Sequence, residues 1–132
     1  MSVDLLSNML SSIKNASMAG RRSIEVPHSK ESEEVAKNLQ KSGFLENVKV
    51  FKESGTAGKK IHLDLSYENG LPRVTDVKRI SKPGRRVYKS YKDIERVAGG
   101  YGTLVVSTSR GIMEGSEAKK RKLGGELICS VK

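Results

Sequence analysis

The sequence predicts an α+β fold in two small lobes. One is an N-terminal α/β lobe with a short sheet over residues 1–70. The other is a C-terminal, mostly β lobe with a short helix over residues 71–132. Three observations lead there. Apolar residues recur at helical spacing twice within the first 42 residues. From Phe44 onward the pattern changes to short alternating or continuous apolar runs broken by glycine. Asn69 and Gly70, followed by Pro72, form a strong turn signal that divides the chain.

In the first lobe, Leu5, Leu6, Met9, Leu10, Ile13 and Ala16 form one helical stripe. Asp4 suits its N-terminal end and Gly20 ends it. A short strand over residues 23–26 is closed by Pro27. A second helix is expected over residues 30–42, capped by Ser29 or Ser32, with early acids, late lysines and a stop at Gly43. Its apolar positions Val35, Ala36 and Leu39 are core. Strands over residues 44–51 and 61–65 follow, joined by a loop at 54–58.

In the second lobe a strand is expected over residues 74–80. Pro83 and Gly84 then fix a basic turn between Lys82 and Arg85 with Arg86. A strand over residues 87–91 and one helical turn over 93–97 come next. The glycine-rich run at 99–102 reads as a tight, closely packed turn leading into an apolar strand at 103–108. A short basic helix over residues 117–123, stopped by Gly124 and Gly125, precedes a last strand at 126–131.

Composition narrows the function. With 36% hydrophobic and 30% charged residues, the chain has the makeup of a globular domain. The net charge of +10 is lopsided. Residues 1–72 hold 10 Lys/Arg against 9 Asp/Glu, whereas residues 73–132 hold 15 against 6. An excess of this kind marks a polyanion partner. Anionic lipid is the weaker choice: no apolar run approaches the roughly 20 residues of a bilayer span, and the basic half lacks a long amphipathic helix. Residues 1–4 lack a secretion signal's charged start and apolar centre. The lone Cys129 excludes an internal disulfide and suits a reducing cytoplasm.

Enzyme chemistry lacks its parts. Ser107, Thr108 and Ser109 are candidate nucleophiles, but the two histidines, His28 and His62, lie in the other lobe. One cysteine and two distant histidines do not make a zinc site, and the 99–102 glycines lack a phosphate loop's Gly-Lys-Ser/Thr ending. No catalytic residue, metal or cofactor is expected.

Binding needs nothing that is missing. Three adjacent hydroxyls beside Arg110 and Gly111, at the end of the apolar run Leu104, Val105 and Val106, suit the 2′-hydroxyls and base edges of RNA. Gly111 allows close backbone approach. Lys82, Arg85 and Arg86 suit phosphates. Residues 119–122 (KKRK) suit general attraction. Tyr88 suits either stacking on an unpaired base or strand packing. Glu126 suits either a base amine or a neighbouring loop.

The strings RISKPGRRVY (79–88), STSRGIM (107–113) and GGELICSV (124–131), in this order, resemble the bacterial form of small-subunit ribosomal protein eight. The opening DLLSNMLSSIKNAS (4–17) is also similar, and the resemblance covers essentially the whole chain. It implies a non-catalytic, cytoplasmic protein of the ribosome that binds the central domain of small-subunit rRNA and helps assemble the platform. Its contacts then fall on Ser107, Thr108, Ser109, Arg110 and Gly111, with Tyr88, Gly124, Gly125 and Glu126 nearby. A second rRNA element is expected at Lys14, Asn15, Arg21 and Arg22. Further implied partners are ribosomal proteins five and twelve of the same subunit and the operon's own mRNA, whose translation the family represses.

Three positions depart from the family pattern. Glu114 replaces the usual Thr after Gly-Ile-Met, Lys132 a terminal Trp, and Leu5 a Pro. An RNA chaperone or translational repressor acting off the ribosome is the alternative reading. A hydrolase is the distant third.

Overall fold

The structure is a computed structural model that describes residues 4–52, 54–55, 58–97 and 101–132. The chain forms two compact units, residues 1–75 and 76–132, and the secondary structure is mixed α and β.

In the first unit, α1 (Leu5–Ala19) begins where the Asp4 carboxylate accepts the Ser7 N–H at 3.1 Å. It ends on Gly20, whose φ of +71° is a left-handed stop. Leu6, Met9, Leu10, Ile13 and Ala16 are buried. Leu5 is only half-buried, because it begins the first turn. α2 (Lys30–Lys41) starts on Ser29, which accepts the Ser32 N–H at 3.1 Å, and buries Ser32, Val35, Ala36 and Leu39. Gly43, with φ +88°, follows its last turn.

Both helices pack on an antiparallel sheet of order β1 (Ser23–Pro27), β3 (Lys59–Leu65), β2 (Leu45–Lys52). The rows Ile24, Leu63, Val48 and Val26, Ile61, Val50 share one face; Glu25, His62 and Lys49 share the other. On the first face Val26, Ile61 and Leu63 are buried and Ile24, Val48 and Val50 half-buried, so alternation separates the core side from the outer one. A two-residue hairpin, β4 (Tyr67–Glu68) with β5 (Leu71–Pro72), turns at Asn69 and Gly70, both with positive φ. The chain stays with this unit to Thr75: Val74 is buried and its carbonyl accepts the Ser17 hydroxyl.

The second unit is organised around β10 (Gly125–Val131). It pairs with β6 (Val77–Arg79), β7 (Tyr88–Lys89) and β8 (Thr103–Thr108), while β9 (Gly111–Glu114) lies outside β8. A register shift between Leu127 and Cys129 bends β10 against β8. α3 (Gly115–Lys120) packs on β8, β9 and a 3-10 turn at Tyr91–Asp93. Ile94, Leu104, Val106, Met113, Ala118 and Leu127 form this core. Cys129 is fully buried, a small core residue.

Several expected elements are shorter or displaced. The strand expected over 74–80 forms only at Val77–Arg79, because Val74 belongs to the first core and Asp76 exchanges backbone bonds with Lys132 (2.8 and 3.0 Å). The 87–91 strand is two residues long, since the Tyr91–Asp93 turn follows at once. That turn ends at Asp93, where a helical turn over 93–97 is expected to begin; Ile94 instead enters the core with extended φ and ψ. The last helix starts two residues early, at Gly115. Its stop comes from Lys122 at φ +58°, not from the glycines. The 54–58 loop and the 99–102 turn fall partly outside the described residues. Gly102 itself is closely packed, since a Cβ there would lie 2.5 Å from Val97 Cγ1.

Glu33 joins two side chains, the His28 ring at 2.7 Å and the Lys37 ammonium at 2.6 Å. The Lys37 hydrogen bond first, then His28, holds its carboxyl below the ordinary 4.5. A lowered carboxyl pKa stabilises the fold above that value and loses this as pH falls through the folded pKa. Glu33→Gln should cost about 0.3–0.5 kcal/mol at neutral pH, the size of an exposed pair. The difference should shrink progressively as the pH of urea titrations is taken below 4.5.

Candidate nucleic-acid interface

The three hydroxyls lie at one end of the second sheet, where β8 turns into β9. Thr108 faces Gly111 across the turn, with Ser109 and Arg110 at its tip. Gly111 has φ +111°, a conformation that favours glycine. Thr108 is committed to this turn: its hydroxyl donates to the Gly111 carbonyl at 2.8 Å and accepts the Arg110 N–H at 3.1 Å. The hydroxyls of Ser107 and Ser109 make no hydrogen bond among the described residues. Ser107 is half-buried and Ser109 exposed. The triplet therefore divides into one hydroxyl that shapes the turn and two that are open to a ligand.

Strand register assembles the remaining candidates. Glu126 on β10 lies opposite Ser107 on β8 and opposite Tyr88 on β7. Directly paired residues project to the same face, so Tyr88, Glu126 and Ser107 form one row across three strands. Tyr88 is 69% exposed, which leaves its ring open for stacking rather than buried in packing. Glu126 settles toward a structural partner: Arg86 Nη1 donates to its carboxylate at 3.2 Å. Arg86 is thereby partly neutralised. Lys82 and Arg85 flank a turn in which Pro83 precedes Gly84 at φ +80°, as a type II turn requires. Reciprocal backbone bonds between Lys82 and Arg85 (3.0 and 2.9 Å) close it, and both side chains are exposed.

The glycine pair earns its position by contact distance. A Cβ on Gly124 would lie 2.7 Å from the Lys89 carbonyl oxygen and 2.9 Å from Ser90 Cα. A Cβ on Gly125 would overlap the Ser107 carbonyl oxygen. These two glycines let β10 come against β7 and β8 closely enough to place Glu126 beside Ser107. The β8–β9 hairpin went unforeseen in the sequence, although Gly111 after a polar pair and the half-buried Ile112 and buried Met113 carried its signal.

In the first unit, Asn15 and Arg21 line a shallow groove of about 460 Å³ with Ser12, Ser23 and Glu25. Arg22 stands apart from it, stacked at 4.9 Å over the Tyr67 ring. The Tyr67 hydroxyl donates to the Arg21 carbonyl at 2.8 Å. Lys14 is half-buried on α1 and does not line the groove. Both histidines are engaged: His28 with Glu33, and His62 with Asp64 at 2.9 Å. Among the described residues no group of three or more His, Cys, Asp or Glu could hold a metal ion, and no helix is long and apolar enough to cross a membrane. At the family's departures, Glu114 N-caps α3 without a side-chain cap bond. Lys132 acts through its backbone pairing with Asp76.

A sequence model described as Ribosomal protein S8 matches residues 4–131. The chain belongs to the ribosomal protein S8 family. Small ribosomal subunit protein uS8 of Nautilia profundicola is 46% identical over 129 residues, covering 97% of each chain. Its counterpart in Nitratidesulfovibrio vulgaris strain DP4 is 41% identical over 131 residues, 99% of each. Small ribosomal subunit protein uS8c of Chlorella vulgaris is 39% identical over 137 aligned positions, 97% of each. As an S8 protein, the chain is a non-enzymatic structural constituent of the small ribosomal subunit and a component of a ribonucleoprotein engaged in translation.

Gly125→Ala should cost about 1–3 kcal/mol, the range for overpacking. A lowered urea midpoint checks this, with the largest amide shifts along residues 106–108. An unchanged midpoint would mean the strands approach less closely than described.

Proposed function

We propose that this S8 protein binds the central domain of small-subunit rRNA directly and helps assemble the platform of the subunit. Its principal contact is an irregular helix met by the Ser107 end of the second sheet. In this reading Ser107 and Ser109 read sugar hydroxyls and base edges, and Tyr88 stacks on an unpaired base. Thr108, Arg110 and Gly111 shape and present the turn, and Gly124, Gly125 and Glu126 fix its backing strand. Lys82 and Arg85 take phosphates, with Arg86 shared between phosphate and Glu126.

The observation that carries this reading is the alignment of Tyr88, Glu126 and Ser107 on one face beside two uncommitted serine hydroxyls. Lys14, Asn15, Arg21 and Arg22 are proposed to meet a second rRNA element. Ribosomal proteins five and twelve are proposed neighbours, and a similar structure in the operon mRNA a second, repressive target. These finer assignments follow the family resemblance, and the open serines suit a bound RNA better than an isolated protein.

Ser107→Ala should weaken binding to a central-domain rRNA hairpin about 5- to 30-fold, the worth of about 1–2 kcal/mol, with little effect on unrelated duplex RNA. Arg85→Ala should weaken binding to both and reduce the salt slope by about one. Filter binding at several salt concentrations checks both. Equal losses on all RNAs for the serine variant would remove the readout role. Co-sedimentation with small subunits separates this reading from a chaperone acting off the ribosome.

A further inference from the structure

The opposite face of the same sheet carries a cationic basin. Leu127, Val106 and Met113 form the row next to Glu126 and Ser107 and therefore project to the other side. α3 packs over β8 and β9 on that side. Toward β6, β7 and β10 lies a concavity of about 530 Å³ whose floor includes Leu104, Leu127 and Val87. Its rim carries Lys78, Lys82, Arg85, Lys89 and Arg96. Register fixes two of these: Lys89 lies opposite Gly125, two residues from Leu127, and Lys78 opposite Ser130, which also faces Leu104.

Among the described residues none of these five cations makes a side-chain hydrogen bond or ion pair. Arg79, also at the rim, donates to the Ser81 carbonyl. The two acids of the rim are Asp93, which accepts the Ser90 hydroxyl at 3.1 Å, and Glu95. Lysine and arginine stems do cover apolar floors while their heads stay in water. That habit does not explain five unneutralised heads around one hollow with two acids at hand. Like charges gathered over an apolar floor repel one another and raise the local positive potential, a cost offset by an anion.

We propose that this basin binds the phosphate backbone of a second RNA segment, so that the second unit is held by RNA on both faces of its sheet. The contact is electrostatic and indifferent to sequence, since lysine and arginine heads on phosphates carry no base information. RNA is favoured over an acidic peptide because the chain is a constituent of a ribonucleoprotein, in which phosphate is the prevailing polyanion. This proposal goes beyond the Ser107 reading and uses different residues for its test.

The test uses the full-length protein with a fluorescent twelve-nucleotide oligouridine, alone and after saturation with the central-domain hairpin. The expected result is oligouridine binding in both conditions. Lys78→Gln, Lys89→Gln and Arg96→Gln together should weaken it at least tenfold and lower the log–log salt slope by about 2, at roughly 0.7 per single-strand phosphate. Hairpin affinity should stay within about twofold, and an unchanged urea midpoint verifies folding. Ser107→Ala should leave oligouridine binding intact, so a failed Ser107 reading does not disturb this one. Four results would overturn the proposal. They are competition between hairpin and oligouridine, parallel loss of both in the triple variant, no loss in it, and displacement of oligouridine by polyglutamate at equal charge.

Discussion

The second unit depends on the approach of Gly125 to the Ser107 carbonyl, a contact with no room for a Cβ. β10 is paired on both sides, with β8 along one edge and β6 and β7 along the other. Its register therefore fixes what every neighbouring strand presents. Because side chains alternate, one residue of slippage would turn Glu126 into the core and Leu127 out of it. The two glycines at the strand's entry prevent this. They admit the backbone at a distance that other residues cannot reach, and Lys122 performs the helix stop separately.

From that register follows a division of labour among residues of similar chemistry. Of three adjacent hydroxyls, Thr108 closes the hairpin while Ser107 and Ser109 remain available. Of three cations at the Pro83–Gly84 turn, Arg86 is tied to Glu126 while Lys82 and Arg85 stay free of ion pairs among the described residues. Rigid presentation of a few polar groups suits recognition of an irregular RNA, because groups already ordered lose little entropy on binding. The same sheet separates the serine row on one face from the basic hollow on the other.

The sequence made the helices and the core legible. Asp4 and Ser29 signalled helix starts, Gly20 and Gly43 helix ends, and the apolar stripes named the buried residues. Ile61, Leu63 and Leu65 alternated cleanly and are all buried. What stayed hidden was set by partners distant in sequence. Nothing near Val74 signals that its carbonyl takes the Ser17 hydroxyl, so the sequence predicts a longer strand beyond it than forms. β9 went unseen because Gly111, Ile112 and Met113 belong to a string that reads as a motif rather than as a strand. Glu126 is ambiguous in the sequence because its partner, Arg86, lies 40 residues away.

The most direct measurement is amide chemical-shift mapping of the labelled protein during titration with the central-domain rRNA hairpin. The expected result is that the largest changes fall on Tyr88, Ser107, Ser109 and Glu126, with smaller ones at Lys82 and Arg85. Changes confined to the first unit or to α3, with the Ser107 row silent, would contradict the view that this sheet end grips the RNA.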